Sequence, residues 1–264
     1  MVALVMGSFE HRTIAIIGGT TGLGFSAAQA LVKEGARVLV MGRNPESARE
    51  AATLLGAKAH VIAGDACDAT AVERLLDLAE GNLDGLYHVA GGSGRKHGDG
   101  PLHGLTDEGW DFTLRLNLTS VMISNRAAVQ RFHRQGNGGT ILNMGSVLGY
   151  SPSPAFFASH AYAATKAAII GLSQSIASYY AKDNIRVNVL APALVETPMA
   201  QRAAGDDEIQ AFIRTKQPLD GGRIGRPDDL DTAALYFLGE GSRFTTGQVL
   251  AVDGGWCLSE GQFS

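Results

Sequence analysis

The sequence predicts an α/β protein: a single doubly wound parallel sheet of about seven strands with helices on both faces. Three observations predict it. Short β-branched runs alternate with longer Ala-rich stretches of helical period along the chain. Runs such as Ile14–Ile17 are apolar at successive positions, which fits a strand covered on both faces. The β-α-β-α order needs parallel strands joined by helical crossovers. Of the 264 residues, 45% are hydrophobic, enough for a sizeable core in one domain spanning 1–264.

In chain order, the pattern predicts a buried strand over Thr13–Gly18, then a helix over Gly22–Glu34 stopped by Gly35. A second strand and helix follow at Arg37–Met41 and Pro45–Leu55. Ala59–Ala63 reads as the third strand, and Thr70–Ala79 as a helix capped by Asp68 or Thr70. Gly85–Val89 reads as the fourth strand. Thr106–Arg134 reads as one long helix, opened by Thr106 with Asp107 and Glu108 in its first turn. Thr140–Met144, Ala161–Ala181, Ile185–Leu190, Pro227–Leu238 and Gln248–Val252 continue as strand, helix, strand, helix and strand. Two irregular segments, Gly92–Gly104 and Ala193–Gly225, follow strands four and six. Both therefore lie at the carboxyl edge of the sheet, where open parallel sheets bind ligands.

Composition narrows the function. The formal net charge of −4 argues against a basic nucleic-acid-binding face and against disorder. Cys67 and Cys257 are too few for a disulfide framework or a four-cysteine zinc site, and read as reduced thiols. No apolar run approaches the roughly 18 residues of a membrane helix. Met1–Glu10 lacks the basic start of a signal peptide. By elimination the expected compartment is the cytoplasm.

Gly18-Gly19-Thr20-Thr21-Gly22-Leu23-Gly24 joins the first strand to the first helix. Glycines there permit positive φ and remove Cβ atoms that would block a pyrophosphate, while the helix N-terminus offers free N–H groups. The bland alternative is a tight turn that binds nothing. No Gly-Lys-Ser/Thr follows, so a triphosphate site is not expected.

Tyr162-Ala-Ala-Thr-Lys166 puts a phenol and an ammonium four apart on one helical face. An unperturbed phenol titrates near about 10. A nearby ammonium favours phenolate, so Tyr162 can exchange a proton with a substrate oxygen. The alternative is a surface pair on an amphipathic helix. Ser146 ends the fifth strand in a hydroxyl that can bond a carbonyl or alkoxide, or merely cap a turn. Asn117, between two leucines in mid-helix, reads as a packing amide or as an amide holding a water near Lys166. His97 and His103 lie six apart in a loop with no third ligand in sight, so no metal site is expected.

With the glycine turn, Asn117, Ser146, Tyr162 and Lys166 in this order, the chain resembles the short-chain dehydrogenase/reductase family from about Thr13 to Trp256. It is most similar to the branch containing the 3-oxoacyl-carrier-protein reductases. The family's Thr-Gly-x-x-x-Gly-x-Gly falls on Ile17 to Gly24, with Ile17 where threonine is usual. Its Asn-Asn-Ala-Gly falls on His88-Val89-Ala90-Gly91, where both asparagines are replaced and the hydrogen bonds they supply are left open. The resemblance implies a Rossmann-type fold and a nicotinamide dinucleotide. Gly18, Thr20, Thr21, Gly22, Leu23 and Gly24 would hold its diphosphate, with Asp65 and Ala66 beside the adenine. Ala90, Gly91, Tyr162, Lys166, Pro192, Val195 and Thr197 would line the nicotinamide half. It also implies roles: Tyr162 as acid or base, Lys166 lowering its pKa and bonding the ribose, Ser146 polarising the carbonyl, Asn117 positioning a relay water.

Arg43, after strand two, can pair with a 2′-phosphate, and Gly42 supplies no carboxylate to repel one. NADP(H) is therefore favoured over NAD(H). Thr21 stands against this, where many NADP-preferring members carry a base. Tyr150–His160 makes the Ser146–Tyr162 spacing about three residues longer than is common in the family. Phe156, Phe157, His160 and Met199 are the candidate substrate residues, with a lid within 193–225. The aromatics serve equally well as a subunit interface. The pocket suits a partly apolar ketone or alcohol. Thr246–Gly255 resembles the family's C-terminal strand, which packs across a dyad, so a homotetramer is expected. The competing functions are an NAD-dependent dehydrogenase of a polyol, sugar or steroid, and a non-catalytic nucleotide-binding regulator.

Overall fold

The computed structural model describes residues 9–197, 200 and 205–261. Its strands are β1 (Thr13–Ile17), β2 (Arg37–Gly42), β3 (Ala59–Ala63), β4 (Gly85–His88), β5 (Gly139–Met144), β6 (Ile185–Pro192) and β7 (Val249–Val252). All pair in parallel, in the order β3-β2-β1-β4-β5-β6-β7. The winding reverses between β1 and β4, which opens a crevice above their carboxyl ends.

The main helices are α1 (Gly22–Lys33), α2 (Pro45–Leu55), α3 (Ala69–Asp77), α4 (Asp107–Leu114), α5 (Ser120–Gln135) and α6 (His160–Tyr180), followed by Asp207–Lys216 and Asp231–Leu238. The strand sequence explains why they cover both faces. Ile14 and Ile16 join Val38 and Val40 in a core under α1, α2 and Asp231–Leu238. Ala15 and Ile17, with Leu39 and Met41, point the other way into a core under α3, α5 and α6. Each fully buried isoleucine contributes about 1.5–3 kcal/mol relative to exposure. Among the described residues no helix is long and apolar enough to cross a membrane.

Caps fix where helices start. Asp68, rather than Thr70, caps α3 by accepting from Thr70 N at 2.9 Å. Asp68→Ala should cost about 1 kcal/mol, read as a lower urea midpoint with an unchanged slope. An unmoved midpoint would show that the cap contributes nothing.

Three expectations need correction. The helix expected over Thr106–Arg134 is interrupted by a π turn at Arg115–Thr119, with Asn117 inside it. Thr106 does open it, accepting from Gly109 N at 3.0 Å. The helix expected from Pro227 starts as a 3-10 turn, Pro227–Leu230, before Asp231–Leu238. The segment 193–225 is not wholly irregular. Asp206 accepts from Glu208 N and Ile209 N at 3.1 Å each and starts the helix Asp207–Lys216. Ile209, Phe212 and Ile213 then bury one apolar stripe beside Trp256. Met199 and residues 201–204 of the expected lid lie outside the described residues.

Candidate active site

The β1–α1 turn is tight and open to a ligand. Gly18 has φ +87°, and a Cβ there would sit 2.5 Å from Ala90 N. A Cβ on Gly24 would run into the Gly18 carbonyl oxygen. Gly18 N and Gly19 N donate to Met41 O at 2.7 and 3.0 Å, which ties the turn to β2. Thr21, at the N-cap of α1, makes no side-chain cap, so no side chain occupies the first-turn N–H groups from that position.

A continuous cavity of about 670 Å³ runs from this turn across the sheet edge. Its cofactor-side wall carries Gly18, Thr20, Thr21, Gly22, Leu23, Arg43, Asp65 and Ala66, then Ala90 and Gly91. Ser146, Tyr162, Lys166, Pro192, Val195 and Thr197 line the rest of that path. Gly24 is set back from the wall and serves the turn. A cavity that runs past a glycine turn with no room for a Cβ at Gly18 fits a dinucleotide.

Three of the four expected catalytic residues, Ser146, Tyr162 and Lys166, converge on this cavity. Lys166 is 3% exposed, and its Nζ donates to Met144 O at 2.8 Å. That Nζ lies 5.5 Å from the centre of the Tyr162 ring. Ser146 and Tyr162 line the same stretch of the cavity. The Ser146 hydroxyl accepts from Leu148 N at 3.2 Å and donates to Pro192 O at 3.4 Å. Burial pushes the Tyr162 phenol up to about 12, with the Ser146 hydrogen bond pulling the other way. Burial pushes Lys166 down to about 8. The ammonium lies over the ring and is held by the Met144 carbonyl of β5.

Asn117 is fully buried and off the cavity wall. Its Nδ2 donates to Gly92 O and Thr113 O, and its Oδ1 accepts from Gly92 N, all at 2.9 Å. It clamps the strand-four loop behind Gly91, and the π turn is what turns it there. Both of its N–H bonds are used within the protein.

His88 stands where the family pattern has its first asparagine. It is buried, with Nδ1 2.7 Å from Ser124 Oγ and Nε2 3.1 Å from Ala90 O. Burial pushes its pKa down to about 3, so the ring is neutral. A carbonyl only accepts, so Nε2 carries the proton and Nδ1 accepts from Ser124. Asn143 and Asn125 exchange two amide bonds at 2.9 Å, and Asn143 reaches Ser173 at 3.0 Å.

The expected substrate residues are not brought together. Phe157 lines the cavity, 5.6 Å edge-on from Trp256. Phe156 instead packs on Phe212 at 5.4 Å, off the wall. His160 is exposed on the first turn of α6 and does not line the cavity.

Sequence reasoning missed Phe112, Leu148, Trp256 and Ser93, all on the cavity wall, which Arg95, Lys96 and His97 also line. It also missed Asp99, which is 5% exposed. Its two carboxylate oxygens accept from Ala161 N and Tyr162 N at 3.0 Å each. Ser159, the local N-cap of α6, makes no side-chain cap. The catalytic helix is thus capped by a residue about 60 positions upstream, a bond no local pattern reports.

Comparison with known proteins follows the same lines. A family model described as enoyl-(acyl carrier protein) reductase matches residues 18–257. The chain is 34% identical over 256 residues to 2-(S)-hydroxypropyl-CoM dehydrogenase 3 of Xanthobacter autotrophicus, covering 93% of this chain and 96% of that protein. It is 33% identical over 251 residues to an NADP-dependent (R)-specific alcohol dehydrogenase of Lentilactobacillus kefiri, covering 94% and 97%. A solved short-chain type dehydrogenase/reductase from Mycobacterium ulcerans superposes with TM-score 0.87 at 30% identity, over 96% of this chain and 92% of that one.

Proposed function

The chain belongs to the short-chain dehydrogenase/reductase family of NAD(P)-dependent oxidoreductases acting on alcohols and ketones, and we propose that it interconverts a carbonyl and a secondary alcohol with NADP(H). The carrying observation is that Ser146 and Tyr162, with Lys166 over the phenol ring, line the same cavity as the glycine turn. When bound, the nicotinamide supplies or accepts the hydride. In reduction, Ser146 donates a hydrogen bond to the carbonyl oxygen and Tyr162 gives that oxygen its proton. In oxidation, the phenolate of Tyr162 takes the hydroxyl proton back. Lys166 would hold the ribose. Asn117 holds the Gly92 backbone beside the same cavity, and Val195 and Thr197 would meet the carboxamide. A screen of ketones and alcohols with both cofactors tests this. Turnover that is lost in Tyr162→Phe supports it, and cofactor binding with no turnover on any of them favours a regulator.

Gly42 and Arg43 support the choice of NADP(H). A Cβ on Gly42 would strike the Thr20 side chain, so no carboxylate side chain fits at the end of β2. Asn44 starts α2 by accepting from Glu46 N at 2.7 Å and Ser47 N at 3.1 Å. Arg43 is not needed for that and lines the cavity instead. Arg43→Ala should raise KM for NADPH at least about tenfold more than for NADH. Equal changes would remove the preference. The neutral Thr21 on the same wall favours the second reading, an NAD-dependent dehydrogenase. A homotetramer is the proposed assembly. β7 is an edge strand with Leu250 40% exposed, which a second copy would cover. Gel filtration at the monomer mass would exclude it.

A further inference from the structure

We propose that Ser159 is a specificity-determining residue whose hydroxyl bonds a second, uncharged oxygen of the substrate. The substrate is then a hydroxyketone, a diketone or a ketoester, or the matching alcohol. The inference rests on the carbonyl–alcohol reading above.

The start of α6 needs nothing from that hydroxyl. A helix begins with four N–H groups that lack an intrahelical partner, and a serine at the N-cap ordinarily accepts from one of them. Here all four are taken. Ser159 N donates to Phe157 O at 2.8 Å, and His160 N to Gly100 O at 3.2 Å. Ala161 N and Tyr162 N donate to the two carboxylate oxygens of Asp99 at 3.0 Å each. With Asp99 doing the capping, the Ser159 hydroxyl makes no cap and no hydrogen bond with any described residue.

That hydroxyl belongs to a residue only 5% exposed, on the wall of the cavity that Tyr162 lines. Ser159 stands three positions before Tyr162, so the two side chains leave the same side of the helix start, with Cβ atoms roughly 5–6 Å apart. Phe112, Leu148, Phe157 and Trp256 supply apolar surface on the same wall. The polar side chains brought there by the loop after β4, Ser93, Arg95, Lys96 and His97, are exposed and remain in reach of water. A substrate body seated on the apolar wall displaces water from Ser159. The hydroxyl is then unpaired unless the substrate brings an oxygen of its own, a few bonds from the reacting carbon.

The test pairs ketones in which one carbon is exchanged for an oxygen function: propiophenone with 2-hydroxy-1-phenylethanone, 2-pentanone with 4-hydroxy-2-butanone, 4-methylcyclohexanone with 4-hydroxycyclohexanone and cyclohexane-1,4-dione, 2-heptanone with ethyl 3-oxobutanoate. NADPH is saturating. Intrinsic reactivity differs within each pair, so the readout is how Ser159→Ala changes the ratio. In at least one pair, kcat/KM should fall about tenfold more for the oxygenated member than for its partner, chiefly through KM. The responding pair identifies the oxygen as hydroxyl, ketone or ester. The urea midpoint should hold, because no cap is lost. If the ratio is unchanged in every pair, this inference falls and the carbonyl–alcohol reading stands. A midpoint lowered as much as in Asp68→Ala assigns the hydroxyl to the helix and overturns the inference as well. If the wild-type protein reduces no member of any pair although NADPH binds, the carbonyl–alcohol reading itself falls, and this inference with it.

Discussion

Tyr162→Phe should lower kcat by about 10²–10⁴-fold or more while leaving NADPH binding close to wild type. Removing one hydroxyl leaves the ring, and with it the packing over Lys166, in place. What goes is the proton donor in contact with Ser146. Ser146 keeps its bonds to Leu148 and Pro192, so its position should survive. The pH dependence gives the experiment direction. The phenol is held up to about 12, so through the neutral range it is protonated. Ketone reduction needs that form and should be flat with pH until strongly alkaline conditions. Alcohol oxidation needs phenolate and should climb with pH, by up to about tenfold per unit while the phenol is mostly protonated. Paired rate profiles in the two directions check this. A reduction rate that falls through neutral pH, with cofactor affinity constant, would mean a more acidic group carries the proton.

The same residue shows how far sequence carries. Tyr162 and Lys166 are four apart on one helix, so their common face was legible from spacing alone. The covering of both faces of the sheet was legible too, because consecutive apolar positions such as Ile14 and Ala15 enter opposite cores. What spacing did not give was where the ammonium points. That is decided by Met144 O, 22 positions upstream of Lys166. Asn117 was recognisable as out of place in a helix, but not as the centre of a π turn gripping Gly92. His88 broke the family pattern, and only the completed fold shows that its ring is bonded to Ser124 and Ala90. Trp256 follows a glycine pair at the end of β7, and its indole returns to bond Ser151 O at 3.2 Å across the substrate wall. Each of the missed features is a contact between segments distant in sequence, whose pairing depends on the completed sheet.

Asp99→Ala should be the most damaging change outside the reacting groups. It removes the acceptor for Ala161 N and Tyr162 N at once, and Ser159 provides no side-chain cap in its place. Loss of a helix cap costs about 0.5–2 kcal/mol. The damage should reach further, because the frayed turn carries Tyr162 and the loop set free carries Arg95 to His97. A displacement of about 1 Å at a reacting group can cost about 10²-fold. The expected result is a fall in kcat well beyond the loss of stability, with NADPH affinity nearly unchanged, since the β1–α1 turn is elsewhere. Asp99→Asn keeps one acceptor oxygen and should recover part of the rate. Asp68→Ala is the matched control: it removes a cap of the same kind from α3, off the cavity wall, and should lower stability comparably without changing kcat. If the Asp68 and Asp99 variants lose stability alike and both retain wild-type kcat, Asp99 is only a cap. If Asp99→Ala alone loses rate and Asp99→Asn restores it in part, the carboxylate is what holds the phenol where it reacts.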